Sequence, residues 1–350
     1  MFQILTGTGL LLLVLALFTL FSYKAPYGMK AMGALANAAV ASFLVEAFHF
    51  AFFGEVLGIT FLESVGAANG SLGGVAAGIL VPLALGVSPV YAVLVGLSVS
   101  GFGILPGFIA GYIISFIVLF LERKVPAGLD LIAIIIIGAP IARGIAMFMD
   151  PVVNNTLLEI GKVLIQAADT SPLIMGIILG GLITVVATAP LSSMALTSII
   201  GLTGLPMAIG ALSVFGSSFM NYIFFSKMKF GSQKDTISVA IEPLTQSDII
   251  SANPIPVYVT NFIGGAMAGI IVAFMNLTNN TPGTATPIAG LAVMFAYNSA
   301  TEVIIAAIGC IIAGILGGYI GYAIFKDYKI KTASEIRGNI IVDDDDSNVV

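Results

Sequence analysis

Runs of about 20 apolar residues, each long enough to cross a bilayer as a helix, recur from Phe2 to Phe325 with only short polar breaks between them. No other feature narrows the fold as much. Apolar residues make up 58% of the 350 and charged ones 9%, with a mean hydropathy of +1.09, too little polar surface to clothe a water-soluble domain of this size. The runs are continuous rather than alternating, which disfavours a β-barrel. The expected fold is therefore an all-α polytopic membrane protein with about ten membrane-embedded segments. Residues 1–337 read as a single transmembrane domain, and 338–350, with Asp343 to Asp346, as an acidic, disordered cytoplasmic tail. Phe2 to Tyr23 follows no basic region and shows no small-residue cleavage site. It reads as a retained helix, with a cleaved signal peptide as the alternative.

Several function classes are excluded early. Cys310 is the only cysteine and His49 the only histidine, so there is no intramolecular disulfide and no cysteine- or histidine-built metal site. No P-loop, no Gly-x-Ser-x-Gly elbow and no His-Glu-x-x-His motif occurs, and no basic patch suits nucleic acid. The sequence offers no catalytic constellation and calls for no cofactor or metal.

Charge sets the topology. Lys24 and Lys30 bracket a short loop, while the breaks at Glu122-Arg123-Lys124, Lys227 to Lys234 and Lys326 to Arg337 carry positive charge and are assigned to the cytoplasm, the C-terminus with them. The loop Asn276 to Thr286 has no basic residue and is assigned to the outside. Between Lys234 and Asn276 the chain crosses once but spends about 40 residues, twice what one crossing needs. One crossing plus one re-entrant hairpin accounts for the excess. By the same count Pro287 to Phe325 holds a crossing and a half-helix, so two re-entrant pieces are expected.

Elsewhere, Glu46 and His49 share a helix face and form either a ligand pair or an interfacial pair. From Leu57 to Gly74 the sequence is broken, with Glu63 and then Gly66 to Ser71, and reads as a loop or re-entrant turn. Val152 to Ala168 reads as an amphipathic helix lying at the interface or over the bundle. Arg143, set among Ile and Ala, must snorkel, pair with a carboxylate, or meet an anionic ligand. Thr188-Ala189-Pro190-Leu191-Ser192-Ser193 breaks an apolar run and is either an ordinary loop or an unwound piece lining a polar cavity. Small residues four apart, Gly74 with Gly78 and Gly107 with Gly111, are expected to pack helices closely.

The densest anomaly is Ile241-Glu242-Pro243-Leu244-Thr245-Gln246-Ser247-Asp248, followed by Asn253-Pro254-Ile255-Pro256 and Asn261-Phe262-Ile263-Gly264-Gly265. A carboxylate in a re-entrant tip accepts hydrogen bonds from solute hydroxyls, and the prolines free carbonyls beside it. Glu242 is the central candidate, with Gln246, Asn253, Ser192, Ser193 and Arg143 as further substrate-binding candidates. The same carboxylate would equally serve a sodium ion, a proton or a structural ion pair.

These residues resemble a known family. Ile241-Glu242-Pro243 with Asn253, Pro254 and the later Ile263-Gly264-Gly265 is similar to the Ile-Thr-Glu-Pro signature and downstream Ile-Gly-Gly of phosphotransferase-system enzyme IIC permeases. Leu105-Pro106-Gly107-Phe108-Ile109-Ala110-Gly111-Tyr112 resembles the Gly-x-x-Ala-Gly-Tyr helix of fructose-type members. The resemblance implies a homodimeric helical permease with two re-entrant hairpins and a midplane sugar site. Glu242 would hydrogen-bond the sugar, and a soluble partner subunit would donate the phosphoryl group. The chain departs from the pattern at Ala240-Ile241-Glu242, where Ile-Thr-Glu is usual. It departs again at Thr188 to Ser193, where fructose-type members carry Gly-Gly-Pro-Val-Asn-Lys, and it has no histidine in its second half. A divergent subgroup of IIC-like proteins, some described as toxin-gene regulators, looks closer. The expected function is that of a IIC-type transporter of a small polar solute, a sugar or sugar derivative, in a bacterial plasma membrane and working by alternating access. At most it is the permease subunit of a phosphotransferase system. The alternative is a membrane sensor that kept the fold without transport.

Overall fold

The computed structural model describes residues 2–337 apart from 127, 169, 190 and 192; it is 84% helix, with no strand among the described residues. The acidic tail 338–350 and Ser192 thus lie outside the described residues.

The chain begins with α1 (Phe2–Lys24) and α2 (Gly28–Ala39), and α2 runs on through two stretches of wider, π-type turns, Val40–Leu44 and Ala47–Val56. Next come α3 (Thr60–Ser71) and α4 (Gly73–Leu85), which meet at Leu72 with a 52° bend. The stretch 57–74 is therefore helical from Thr60 on and interrupted only by the bend at Leu72, the geometry of a broken span or a re-entrant turn. α5 (Pro89–Ser98), α6 (Ile104–Lys124) and α7 (Leu129–Ala133) follow, and a π-type turn joins α7 to α8 (Ala139–Ala168).

α8 corrects one expectation. Val152 to Ala168 is not a separate helix but the continuation of the preceding span through Pro151. Its amphipathic pattern is real: Leu157, Ile160, Val163 and Leu164 are buried, while Glu159 and Lys162 pair on the exposed side.

The second half carries α9 (Pro172–Thr188), α10 (Ser193–Ile199), α11 (Gly204–Met228), α12 (Gln233–Ile241), a 3₁₀ turn Pro243–Gln246, α13 (Ser247–Ala252), α14 (Pro254–Met275), α15 (Pro287–Tyr297), α16 (Ala300–Phe325) and α17 (Ala333–Arg337). Six helical stretches are long and apolar enough to cross a membrane, or seven with the bent α3–α4 pair, and shorter apolar helices accompany them.

The packing has the polarity of a lipid-embedded bundle, with large side chains outward and small ones inward. Along α16 an exposed stripe runs through Ile304, Ile308, Ile312, Leu316, Ile320 and Ile324, one every fourth position, whereas Ala306, Cys310, Ala313, Gly317 and Gly321 are buried. Lipid is as apolar as these side chains, so close backbone approach drives helix association instead. A β-carbon on Gly265 of α14 would lie 2.0 Å from Thr184 Oγ1 and 2.4 Å from the Gly180 carbonyl oxygen of α9. The close packing expected at the small residues of α4 and α6 is present too, since a β-carbon on Gly107 would stand 2.3 Å from the Gly74 carbonyl oxygen.

Two re-entrant hairpins face each other. The first is α12, the 3₁₀ turn and α13. Its base is fastened at Asn253, which accepts from the Lys331 N–H at 2.7 Å and donates to the Lys331 carbonyl at 2.8 Å. The second runs from Thr278 to Asn298, and the Asn298 side chain staples its ends together through the Thr278 N–H and carbonyl, both at 2.8 Å. Its descending arm is the loop expected outside: Asn279, Thr284, Ala285 and Thr286 are all buried. The loop is exposed at Asn276, Asn280 and Pro282, and its later residues enter the protein without regular helix. α14, about 33 Å long at 1.5 Å per residue, separates the two bases, so the hairpins enter from opposite ends.

Candidate functional site

The hairpin tips meet at Glu242. This residue ends α12 in an extended conformation, φ −149° and ψ 108°, because a residue preceding proline is pushed out of the helical region and Pro243 follows it. The turn leaves the Glu242 side chain buried between the two hairpins. Its Oε2 accepts from Thr286 Oγ1 at 3.3 Å, and its Oε1 from the Leu244 N–H at 3.5 Å. Both contacts are at the outer limit of hydrogen-bond length, so the carboxylate retains most of its accepting capacity. Glu242 lies between the spanning helices. Burial pushes its carboxyl up to about 7, against weaker downward pulls from the Leu244 N–H and the Thr286 hydroxyl.

A cavity of about 10 Å³ for water centres sits in front of Glu242, walled by Phe43, Ser193, Met194, Val214 and Thr286. That is room for one water, so the site is closed around its carboxylate. Phe43 also lines a cavity of about 170 Å³ beside Asn154, Phe102 and Gly103. Thr245 and Gln246, on the same hairpin as Glu242, line a polar cleft of about 990 Å³ shared with Lys30 and Lys234. Glu242 is therefore flanked by two larger spaces, one reached past Phe43 and one past the hairpin itself.

The residues singled out by sequence fall into three groups. Ser193 joins Glu242 in the same cavity, and its hydroxyl donates to the Ala285 carbonyl at 2.6 Å, tying α10 to the second hairpin. Gln246 and Asn253 are buried but committed elsewhere. Gln246 Oε1 accepts from Arg337 Nη2 at 2.8 Å, and Asn253 bonds Lys331. Arg143 is exposed and far along the chain's other half: it donates to the Ser98 and Ser100 carbonyls, both at 3.0 Å, and lies over the Phe102 ring. It closes the end of α5 rather than lining the Glu242 cavity. Ser192 lies outside the described residues.

Asn261 bonds Asn221 across α11 and α14 at 2.9 Å, so the Asn-Phe-Ile-Gly-Gly stretch is packing, not cavity wall. Glu46 lies between the two π-type stretches and His49 on the second, where its Nδ1 is 3.2 Å from the Val45 carbonyl. Among the described residues no group of three or more His, Cys, Asp or Glu side chains comes together to hold a metal.

Thr286 and Phe43 were missed by sequence reasoning. The available signal for Thr286 was a polar loop without basic residues leading into Pro287 and a helix too short to span. Phe43 gave no signal, being one aromatic in an apolar run.

Comparison with known proteins gives one match. A family model described as "Phosphotransferase system, EIIC" matches residues 29–337. Neither a search of curated proteins nor a search of solved structures returned a match to this chain.

Proposed function

The chain belongs to the phosphotransferase-system EIIC family, and we propose that it carries a small neutral polyhydroxylated solute, a sugar or sugar derivative, across a bacterial plasma membrane by alternating access, with Glu242 as the central acceptor. The observation that carries this reading is the meeting of two opposed hairpin tips on one buried, under-satisfied carboxylate. Solute hydroxyls would supply the short hydrogen bonds that Thr286 and Leu244 do not, and a buried charge-assisted bond is stronger than a neutral one. The spaces on either side supply the approach, and the small central cavity corresponds to a closed state. The gathering of Lys30, Lys234 and Arg337 around one cleft supports a cytoplasmic placement of that end and of the C-terminus. A soluble phosphoryl-donor subunit would approach from there, and the working unit in this reading is a homodimer.

The test is a thermal-shift panel of sugars, sugar phosphates, polyols and carboxylates on purified protein, since a ligand bound only by the folded state raises the melting temperature. For the solute that shifts it most, Glu242→Gln should weaken binding by more than about 1 kcal/mol, roughly fivefold. Unchanged affinity in that titration removes Glu242 from the site. Uptake by reconstituted vesicles then distinguishes transport from sensing: binding without uptake replaces the transporter by a sensor.

A further inference from the structure

Arg337, the last described residue, makes more side-chain contacts with the Glu242 hairpin than it needs to hold its own short helix. Its Nη1 donates to Asp235 Oδ1 at 2.7 Å in the first turn of α12, and its Nε and Nη2 donate to Asp248 Oδ2 and Oδ1 at 2.7 and 3.0 Å in α13. Nη2 also reaches Gln246 Oε1 at 2.8 Å, in the 3₁₀ turn between them. One planar guanidinium thereby ties both arms and the turn of the hairpin, a geometry that a point charge does not reproduce. The two carboxylates are 11% and 9% exposed, so the pairs are not the loose surface kind that contributes little. For Asp235, burial pushes the carboxyl up, but hydrogen bonds from Ser232 and Arg337 outweigh it and the net shift is downward.

The connection continues inward. Gln246 Nε2 lies 3.4 Å from Thr245 Oγ1, and Thr245 Oγ1 donates to the backbone carbonyl of Glu242 at 2.8 Å. Asp235 also completes the capping box that starts α12, the helix Glu242 ends. Arg337 therefore grips α12 at its first turn and, through Gln246 and Thr245, at its last residue. The C-terminal segment does not need Arg337 to stay docked, because Lys331 is already bonded to Asn253 and the Ala333 N–H to the Phe230 carbonyl at 2.7 Å.

We infer that Arg337 is a positioning residue: it latches the hairpin that separates the 990 Å³ cleft from the Glu242 cavity and so sets where the Glu242 carboxylate sits. The inference rests on the reading of Glu242 as the solute acceptor, but its test needs no solute, so the two fail separately. Leu244 is buried beside Glu242 and lines its cavity, and Cys310, the only native cysteine, is fully buried in α16. Leu244→Cys in the full chain is alkylated with N-ethylmaleimide in membranes, with Arg337 intact and with Arg337→Ala or Arg337→Lys. The expected result is at least a tenfold faster reaction at position 244 in Arg337→Ala, a smaller rise in Arg337→Lys, which keeps one contact of the fork, and no reaction at Cys310 in either. A smaller rise in Arg337→Ala, or one shared by Cys310, overturns the inference, because the first means no latch and the second a general prop. Should Arg337→Ala fail to fold, Arg337→Lys decides on the same criterion with a threefold threshold.

Discussion

Glu242 is a carboxylate whose hydrogen bonds do not make up for the water it has lost. With its folded value near 7 against an ordinary 4.5, the folded state holds the proton more tightly than the unfolded one. This contribution to stability is therefore complete below about pH 4.5 and disappears as pH rises through 7, a change of about 3 kcal/mol at most. Thermal unfolding in detergent at pH 4.5, 6 and 7.5 should show wild type losing ground to Glu242→Gln as pH rises; parallel curves for the two proteins would contradict it. Thr286→Val removes a hydroxyl that helps orient the carboxylate, and should weaken solute binding by about 1 kcal/mol without changing the melting temperature by more than a few degrees. An isothermal titration with unchanged affinity would take Thr286 out of the site. The sequence exposed Glu242 because a carboxylate in an apolar chain is conspicuous, and Ser193 because a proline and two serines broke a run. It could not separate these from Gln246, Asn253 and Arg143, which are of the same polar kind. What distinguishes them is the partner: Arg337, Lys331 and the end of α5 take up the latter three, and none of those partners is near in sequence.

Small residues at close helix contacts and side-chain staples place several elements in this protein. Gly265→Ala puts a methyl 2.4 Å from the backbone carbonyl oxygen of Gly180, which cannot rotate away as a side chain would. Overpacking of this kind should cost about 1–3 kcal/mol, read as a lower melting temperature of the purified protein, and a neutral result would show that α9 and α14 can separate freely. Asn298→Ala removes both bonds that close the second hairpin, and should lower stability by about 1–2 kcal/mol while raising proteolysis between Thr278 and Thr286. Protection equal to wild type would mean that the tip, not the base, holds the hairpin. Length arithmetic on the sequence found the first hairpin. It gave the short helix of the second from Pro287 on but not its buried descending arm, because a polar segment that enters the protein core and a polar segment in water have the same composition. The stretch 152–168 was misjudged for a related reason: its amphipathic pattern is present, yet Pro151 does not end the helix before it.

For the molecule as a whole, the proposed orientation places the basic breaks and the C-terminus in the cytoplasm. Lys329→Cys and Asn280→Cys lie at exposed positions near the bases of opposite hairpins, and an impermeant thiol reagent added to intact cells should label the second and not the first. The reverse labelling would invert the topology, and equal labelling would rule out a single orientation. By itself the sequence determined the membrane class, the helical architecture and the family, and it singled out Glu242 as the candidate carboxylate, because each depends on composition, run length or a short local motif. The tertiary structure alone decided that Thr286 meets Glu242, that Phe43 walls its cavity, and that Arg337 holds its hairpin. Those are contacts between segments 44, about 200 and about 90 residues apart, and only the packing of re-entrant backbone against helices brings them together.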